Sequence, residues 1–332
     1  MYLNISATPC ANNHHVPKVA GCSGQEPAYS GSAKCVYKFW ECLTPEITSM
    51  TPSTDSMGAT IAINGKGFDT SAANNVVSIG KGFNCTVSSA SATDLSCKVN
   101  HNNTMPINKQ LPTMLRLKNN GYVKISPAAK MMFVLSPKVV SVTPSAGSTQ
   151  GGTNVTMTGY GFAGTPGTTS VNFGSTKCLV TSVTYTQIKC TTMMSSRRKR
   201  STNQAATVVL NGQSVNCTSS CGFTLDPNMT PTVSQINPTT IRGSSTSVTI
   251  TGTKFGTNSS LVVVKIGNTE CAIQSVTDTS ITCTAGLTAV GTQQVMVRIE
   301  GLGNAANAGS VGQVTVQPEI VAMTPTSGKD LS

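Results

Sequence analysis

Few side chains in this 332-residue chain can carry acid–base or metal chemistry. Charged residues make up 11% and aromatics 5%, and there is a single tryptophan. Histidine occurs three times, at His14, His15 and His101, beside twelve carboxylates scattered along the chain. These assemble into no Ser-His-Asp set, no acid pair and no metal-binding spacing, so the sequence reads as a non-enzyme that takes no cofactor. No apolar run reaches the roughly 18 residues of a membrane span. The opening Met1-Tyr-Leu-Asn-Ile-Ser has neither a basic region nor a long apolar stretch, which excludes a signal peptide there. An exported chain without one is expected to be an excerpt or a processed product.

Serine and threonine fill the space left by charge, which suits extended strands, where threonine is favoured. Cysteine is abundant: twelve residues, without a repeated C-x-x-C and with almost no histidine to complete a ligand set. An even number arranged in pairs points to disulfides and an extracellular, secreted or cell-surface location. A zinc site from Cys10, His14, His15 and Cys22 is the lesser alternative. Sequons at Asn4, Asn84, Asn102, Asn154, Asn216, Asn228 and Asn258 agree with export and predict N-linked glycans, with O-linked ones on Ser/Thr-rich faces.

The net charge of +11 comes from scattered residues with few aromatics between them. This argues against nucleic acid and leaves weak contact with acidic glycans as a use for the charge. One run is concentrated, Arg197-Arg198-Lys199-Arg200 before Ser201. It reads as a proprotein-convertase site or as a basic hairpin tip, in an exposed loop between Cys190 and the strand Ala206–Leu210.

The chain repeats itself. Cys85 and Cys97, Cys178 and Cys190, and Cys271 and Cys283 are each twelve positions apart, and each lies ninety-three from its counterpart. Folding each segment about its midpoint, at Ser91, Thr184 and Thr277, makes a hairpin with its cysteines directly opposite one another. Facing residues sit about 4.5 Å apart at Cα in a non-hydrogen-bonded pair, within disulfide range. Three bridges are therefore expected.

Upstream, Ile61 and Ile63, Val155 and Met157, and Val248 and Ile250 alternate with polar residues, as half-buried strands do. An aromatic follows at Phe68, Phe162 and Phe255. Next come strands ending in Gly80, Gly174 and Gly267. Gly65-Lys-Gly-Phe68 resembles a phosphate loop, but its counterparts read Gly159-Tyr-Gly-Phe162 and Gly252-Thr-Lys-Phe255, so it is expected to be a turn after a strand. Each copy opens with an apolar stretch running into Pro52, Pro144 or Pro238, and a fourth such opening runs from Ile320 to Pro325. Short strands at this spacing predict an all-β fold of tandem β-sandwiches.

The stretches Val142-Thr-Pro-Ser-Ala-Gly147 and Gly151-Gly-Thr-Asn-Val-Thr-Met-Thr-Gly-Tyr-Gly-Phe162 resemble the IPT/TIG domain, an immunoglobulin-like fold. The first and third copies lack the Gly-Gly pair. Arrays of such domains with paired cysteines look like ectodomains of the fibrocystin family and, more distantly, of plexins. Cys217-Thr-Ser-Ser-Cys221, leading to Pro231, is similar to a domain ending in that family and implies a Cys217–Cys221 bridge. The resemblance places three IPT/TIG domains at 45–137, 138–230 and 231–317, with 318–332 a first strand or C-terminal extension. Cys35 precedes Pro45 as Cys221 precedes Pro231, so 1–44 reads as the Cys-rich tail of a preceding domain. The pairing of Cys10, Cys22, Cys35 and Cys42 stays open.

The function implied is a non-catalytic extracellular glycoprotein rod for adhesion, receptor or surface-coat duty, with protein partners. The alternative is a subunit of a glycan-coated filament, self-associating head to tail by strand addition.

Overall fold

The computed structural model describes residues 28–30, 37–39, 44–100, 105–118, 120–194, 202–243, 245–307 and 311–319. Cys10, Cys22, Cys35, Cys42, the three histidines, Asn4, Asn102, Arg197, Arg198, Lys199, Arg200 and the fourth opening at 320–325 lie outside them. The chain divides into two compact units, Met1–Ser136 and Pro137–Ser332, and the second holds two repeats. Ahead of the first repeat, Ala28–Ser30 pairs antiparallel with Tyr37–Phe39.

Each repeat is an immunoglobulin-like sandwich, and the third shows its two layers most simply. One sheet runs Ala272–Thr277, Ser280–Thr284, Ser247–Thr253, Thr232–Asn237, Ala306–Asn307. The other runs Thr240–Arg242, Gln313–Gln317, Gly291–Ile299, Val262–Ile266, Thr269–Glu270. Strict alternation drives the layers together. In Ser247–Thr253 the residues Val248 and Ile250 are fully buried while Ser247, Thr251 and Thr253 face water. The same pattern buries Ile61 and Ile63 in Thr60–Lys66, and Val155 and Met157 in Asn154–Tyr160. Phe173 and Phe223 meet in the second core with ring centroids 4.8 Å apart.

The phenylalanines Phe68, Phe162 and Phe255 are all buried. Their glycine partners are not in the turn, contrary to the sequence expectation. Gly65, Gly159 and Gly252 belong to the strands themselves. At each, an added Cβ would run into the phenylalanine ring and into the backbone carbonyl of Glu46, Lys138 or Thr232. The turn comes two residues later, at Gly67, Gly161 and Lys254, with φ of 72°, 75° and 63°.

The cysteine hairpins also differ in one respect from expectation. Cys178 faces Thr192 and Cys190 faces Val180, so the two cysteines are diagonal neighbours rather than opposite. Cys85 and Cys97 repeat this, facing Val99 and Val87. The cause lies in the hydroxyl residues at the arithmetic midpoints. Ser91 and Thr184 begin the turn: their Oγ atoms accept from the amides of Asp94 and Gln187, at 2.8 and 3.0 Å. Hydroxyls that bond the backbone a few residues on nucleate turns at their own position. A bulge in each hairpin then keeps the cysteines on one face.

Candidate functional site

Between strand Lys138–Thr143 and strand Asn154–Tyr160 the second repeat carries Gly147-Ser-Thr-Gln-Gly-Gly-Thr153. Gly151 and Gly152 take φ of 71° and 76°, a left-handed pair that side chains resist, and they fold the loop into a cradle. The cradle floor is polar yet buried: Ser148, Thr149, Thr153, Thr192 and Thr230 are all under 5% exposed. Buried hydroxyls are costly without partners, and these have them. The Thr149 amide donates to Thr230 Oγ1 at 3.0 Å, and Thr230 Oγ1 donates to the Asp226 carbonyl at 2.9 Å. The Thr153 amide donates to Thr192 Oγ1 at 3.1 Å.

The remaining partners come from the third repeat. Its strand Gly291–Ile299 turns through Glu300-Gly-Leu-Gly-Asn304, and this turn enters the cradle. Ser148 N donates to Leu302 O at 2.7 Å and Asn304 N returns a bond to Gly151 O at 2.8 Å. Thr153 Oγ1 donates to Leu302 O at 2.7 Å, and Ser148 Oγ to Asn304 O at 2.5 Å. Asn304 Nδ2 reaches Gln150 O at 3.3 Å. A Cβ on Gly303 would stand 2.5 Å from Gly151 O and 2.6 Å from Thr153 Oγ1, and one on Gly152 would overlap the Asn304 side chain. Only backbone fits this closely.

At the rim, Asn154 Nδ2 donates to both carboxylate oxygens of Glu300, at 3.0 and 3.2 Å, and Arg298 Nη2 pairs with Glu300 at 2.6 Å. The Arg298 bond holds the Glu300 carboxyl below the ordinary carboxylate range; burial opposes it, and the Asn154 bond and the charge of Arg298 add smaller lowering effects. Beside the joint runs an open groove of about 670 Å³ whose lining includes Thr143, Lys189, Thr191, Leu261 and Glu300. Near the hairpin turn, burial pushes the Tyr185 hydroxyl up to about 12. Hydrogen bonds contribute about 0.5–1.5 kcal/mol net apiece, so a set of this size resists free swivelling between the repeats. Its chemistry is that of docking.

The other predicted residues lie elsewhere. The structure joins Cys85 to Cys97, Cys178 to Cys190 and Cys271 to Cys283 at 5.5 Å between Cα atoms, and Cys217 to Cys221 at 6.1 Å. Asn84, Asn154, Asn216, Asn228 and Asn258 are exposed. Among the described residues no three His, Cys, Asp or Glu side chains gather as a metal site. Nor, among them, is any helix long and apolar enough to cross a membrane. Sequence reasoning missed Ser148, Glu300, Gly303 and Asn304. The signal was available in Gly301-Leu-Gly303, two glycines in one short hairpin turn with φ of 84° and 114°.

The family model described as the IPT/TIG domain matches residues 45–125, 137–224 and 231–317. Fibrocystin-L of Homo sapiens is 31% identical over 327 residues, which is 96% of this chain and 7% of that protein. Fibrocystin-L of Mus musculus is 30% identical over 319 residues, 93% of this chain and 7% of that one. The chain thus spans about 7% of the length of the curated relatives it matches. Among solved structures, the full extracellular region of plexin A4 aligns at 19% identity and a TM-score of 0.39, covering 88% of this chain and 27% of that one. Matched over most of its length by one family model three times in succession, the chain belongs to the IPT/TIG domain family.

Proposed function

We propose that this chain is a non-catalytic extracellular segment with adhesion, receptor or surface-coat duty. Its repeats, bounded at 45–137, 138–230 and 231–317, present loops and sheet faces to protein partners. The observation that carries this reading is the joint, where buried hydroxyls and amides of one repeat are satisfied by backbone of the next. Such an arrangement fixes position between modules and offers no group poised to react. The disulfide-closed hairpins support an oxidising compartment.

On this reading the exposed sequons Asn84, Asn216, Asn228 and Asn258 carry glycans, and Arg197–Arg200 is a processing site cut before Ser201. Electron microscopy of the natural material beside the secreted recombinant chain tests the proposal. Separate particles are expected. Long filaments with an axial repeat matching one chain would overturn it and make assembly itself the function.

A further inference from the structure

The sequon Asn154-Val-Thr156 opens the strand Asn154–Tyr160 at the rim of the cradle, and its amide is already engaged on both sides. Nδ2 faces the two Glu300 oxygens, and Oδ1 accepts from the Thr191 hydroxyl at 2.8 Å. Arg298 pairs with the same carboxylate at 2.6 Å and so favours its present position. The other sequons differ. Among the described contacts, Nδ2 of Asn84, Asn216, Asn228 and Asn258 bonds no other residue, and Asn258 uses only its Oδ1, which accepts from Ser260.

An N-glycan is joined through that same Nδ2. It replaces an amide hydrogen with a bulky, hydrated ring. At Asn154 the ring would stand where the carboxylate of the neighbouring repeat now lies. Order of synthesis matters too. Glu300 follows Asn154 by 146 residues, so a sugar added as the chain emerges is in place before the joint can close.

We propose that a glycan on Asn154 and the docked joint exclude one another, so that occupancy of this one sequon decides whether the second and third repeats move as one body. The proposal rests on the exported reading above, because only an exported chain meets the glycosylating machinery.

The test uses the full chain secreted from glycosylating animal cells, alongside Thr156→Val, which removes the sequon and leaves the Asn154 amide intact. Glycopeptide mass spectrometry reads the occupancy of every sequon. Site-resolved hydrogen exchange reads the amides of Ser148 and Asn304, both of which donate across the joint. In Thr156→Val both amides should be protected. Chains with sugar on Asn154 should exchange at both positions at least tenfold faster, while amides of the Cys178–Cys190 hairpin stay unchanged. Wild-type chains with Asn154 empty and both amides protected also accord with the proposal. Sugar on Asn154 with both amides as protected as in Thr156→Val would overturn it, as would free exchange in the unglycosylated chain. Sugar on none of the sequons would instead sink the exported reading, and this proposal with it.

Discussion

Gly65 sits one residue from the end of the strand Thr60–Lys66, opposite Ile47, and alanine at this position tests the packing of the first repeat directly. Alanine normally stabilises relative to glycine within a strand by about 0.5–1 kcal/mol, largely by restricting the unfolded chain. Here the new Cβ would overlap the Glu46 carbonyl oxygen and stand 2.5 Å from Phe68 Cζ and 3.0 Å from the Glu46 carbonyl carbon. The ring can tilt, but the carbonyl is fixed by the strand. Overpacking of this kind costs about 1–3 kcal/mol, so the sign reverses and Gly65→Ala should destabilise by roughly 1–2 kcal/mol net. For a repeat of this size that is a fall in melting temperature of about 5–15 °C. Calorimetry of the full chain, with hydrogen exchange assigning the loss to the first repeat, measures it. Adding Phe68→Leu should recover the share due to the ring and leave the share due to the carbonyl, which a double-mutant cycle separates. An unchanged or raised melting temperature in Gly65→Ala would refute the reasoning, and Gly159→Ala and Gly252→Ala should behave alike.

Lys254 occupies a left-handed position where the other repeats have glycine. Lys254→Gly should stabilise the third repeat by about 0.5–1 kcal/mol in urea titration, despite losing the Lys254 Nζ bond to the Asn228 carbonyl. Replacing Cys85 and Cys97 together by alanine should cost about 3 kcal/mol, and the shorter Cys217–Cys221 loop about 1 kcal/mol less, both read by chemical denaturation. Because the folded state holds the Glu300 carboxyl below its ordinary value of 4.5, its contribution to the joint is complete above that pH and is lost as pH falls below it. Protection of the Ser148 and Asn304 amides, corrected for intrinsic exchange, should therefore drop on acidification, and Glu300→Gln should flatten that dependence.

What could be read from sequence was whatever repeats or alternates. The ninety-three-residue spacing of cysteines and the period-2 pairs such as Ile61 and Ile63 carry the sandwich, because burial on one face leaves a local pattern. Positions whose meaning depends on a distant neighbour were read less well. Gly65 reads from sequence as part of a turn, since nothing local reveals the Glu46 carbonyl against it. Ser91 and Thr184 lie at the arithmetic centres of their hairpins, yet a hydroxyl that accepts from the amide three residues later marks the start of a turn. The Gly-Gly pair of the second repeat was visible as a family trait. Its purpose was hidden, because Asn304 fills that space from about 150 residues away.

In every repeat the first strand runs parallel beside the next-to-last strand, and the second beside the last. Lys124–Ile125 lies parallel to Glu46–Thr51, Gln213–Ser220 to Lys138–Thr143, and Ala306–Asn307 to Thr232–Asn237. A pull applied along the chain therefore drags these neighbours lengthwise past each other. The bonds between them are loaded in shear and must yield together, whereas a hairpin pulled apart at its open end unzips one bond at a time. Behind that clasp each cysteine bridge withholds twelve residues of contour from extension. Under tension a repeat of this design gives way late and lengthens less than its residue count would allow.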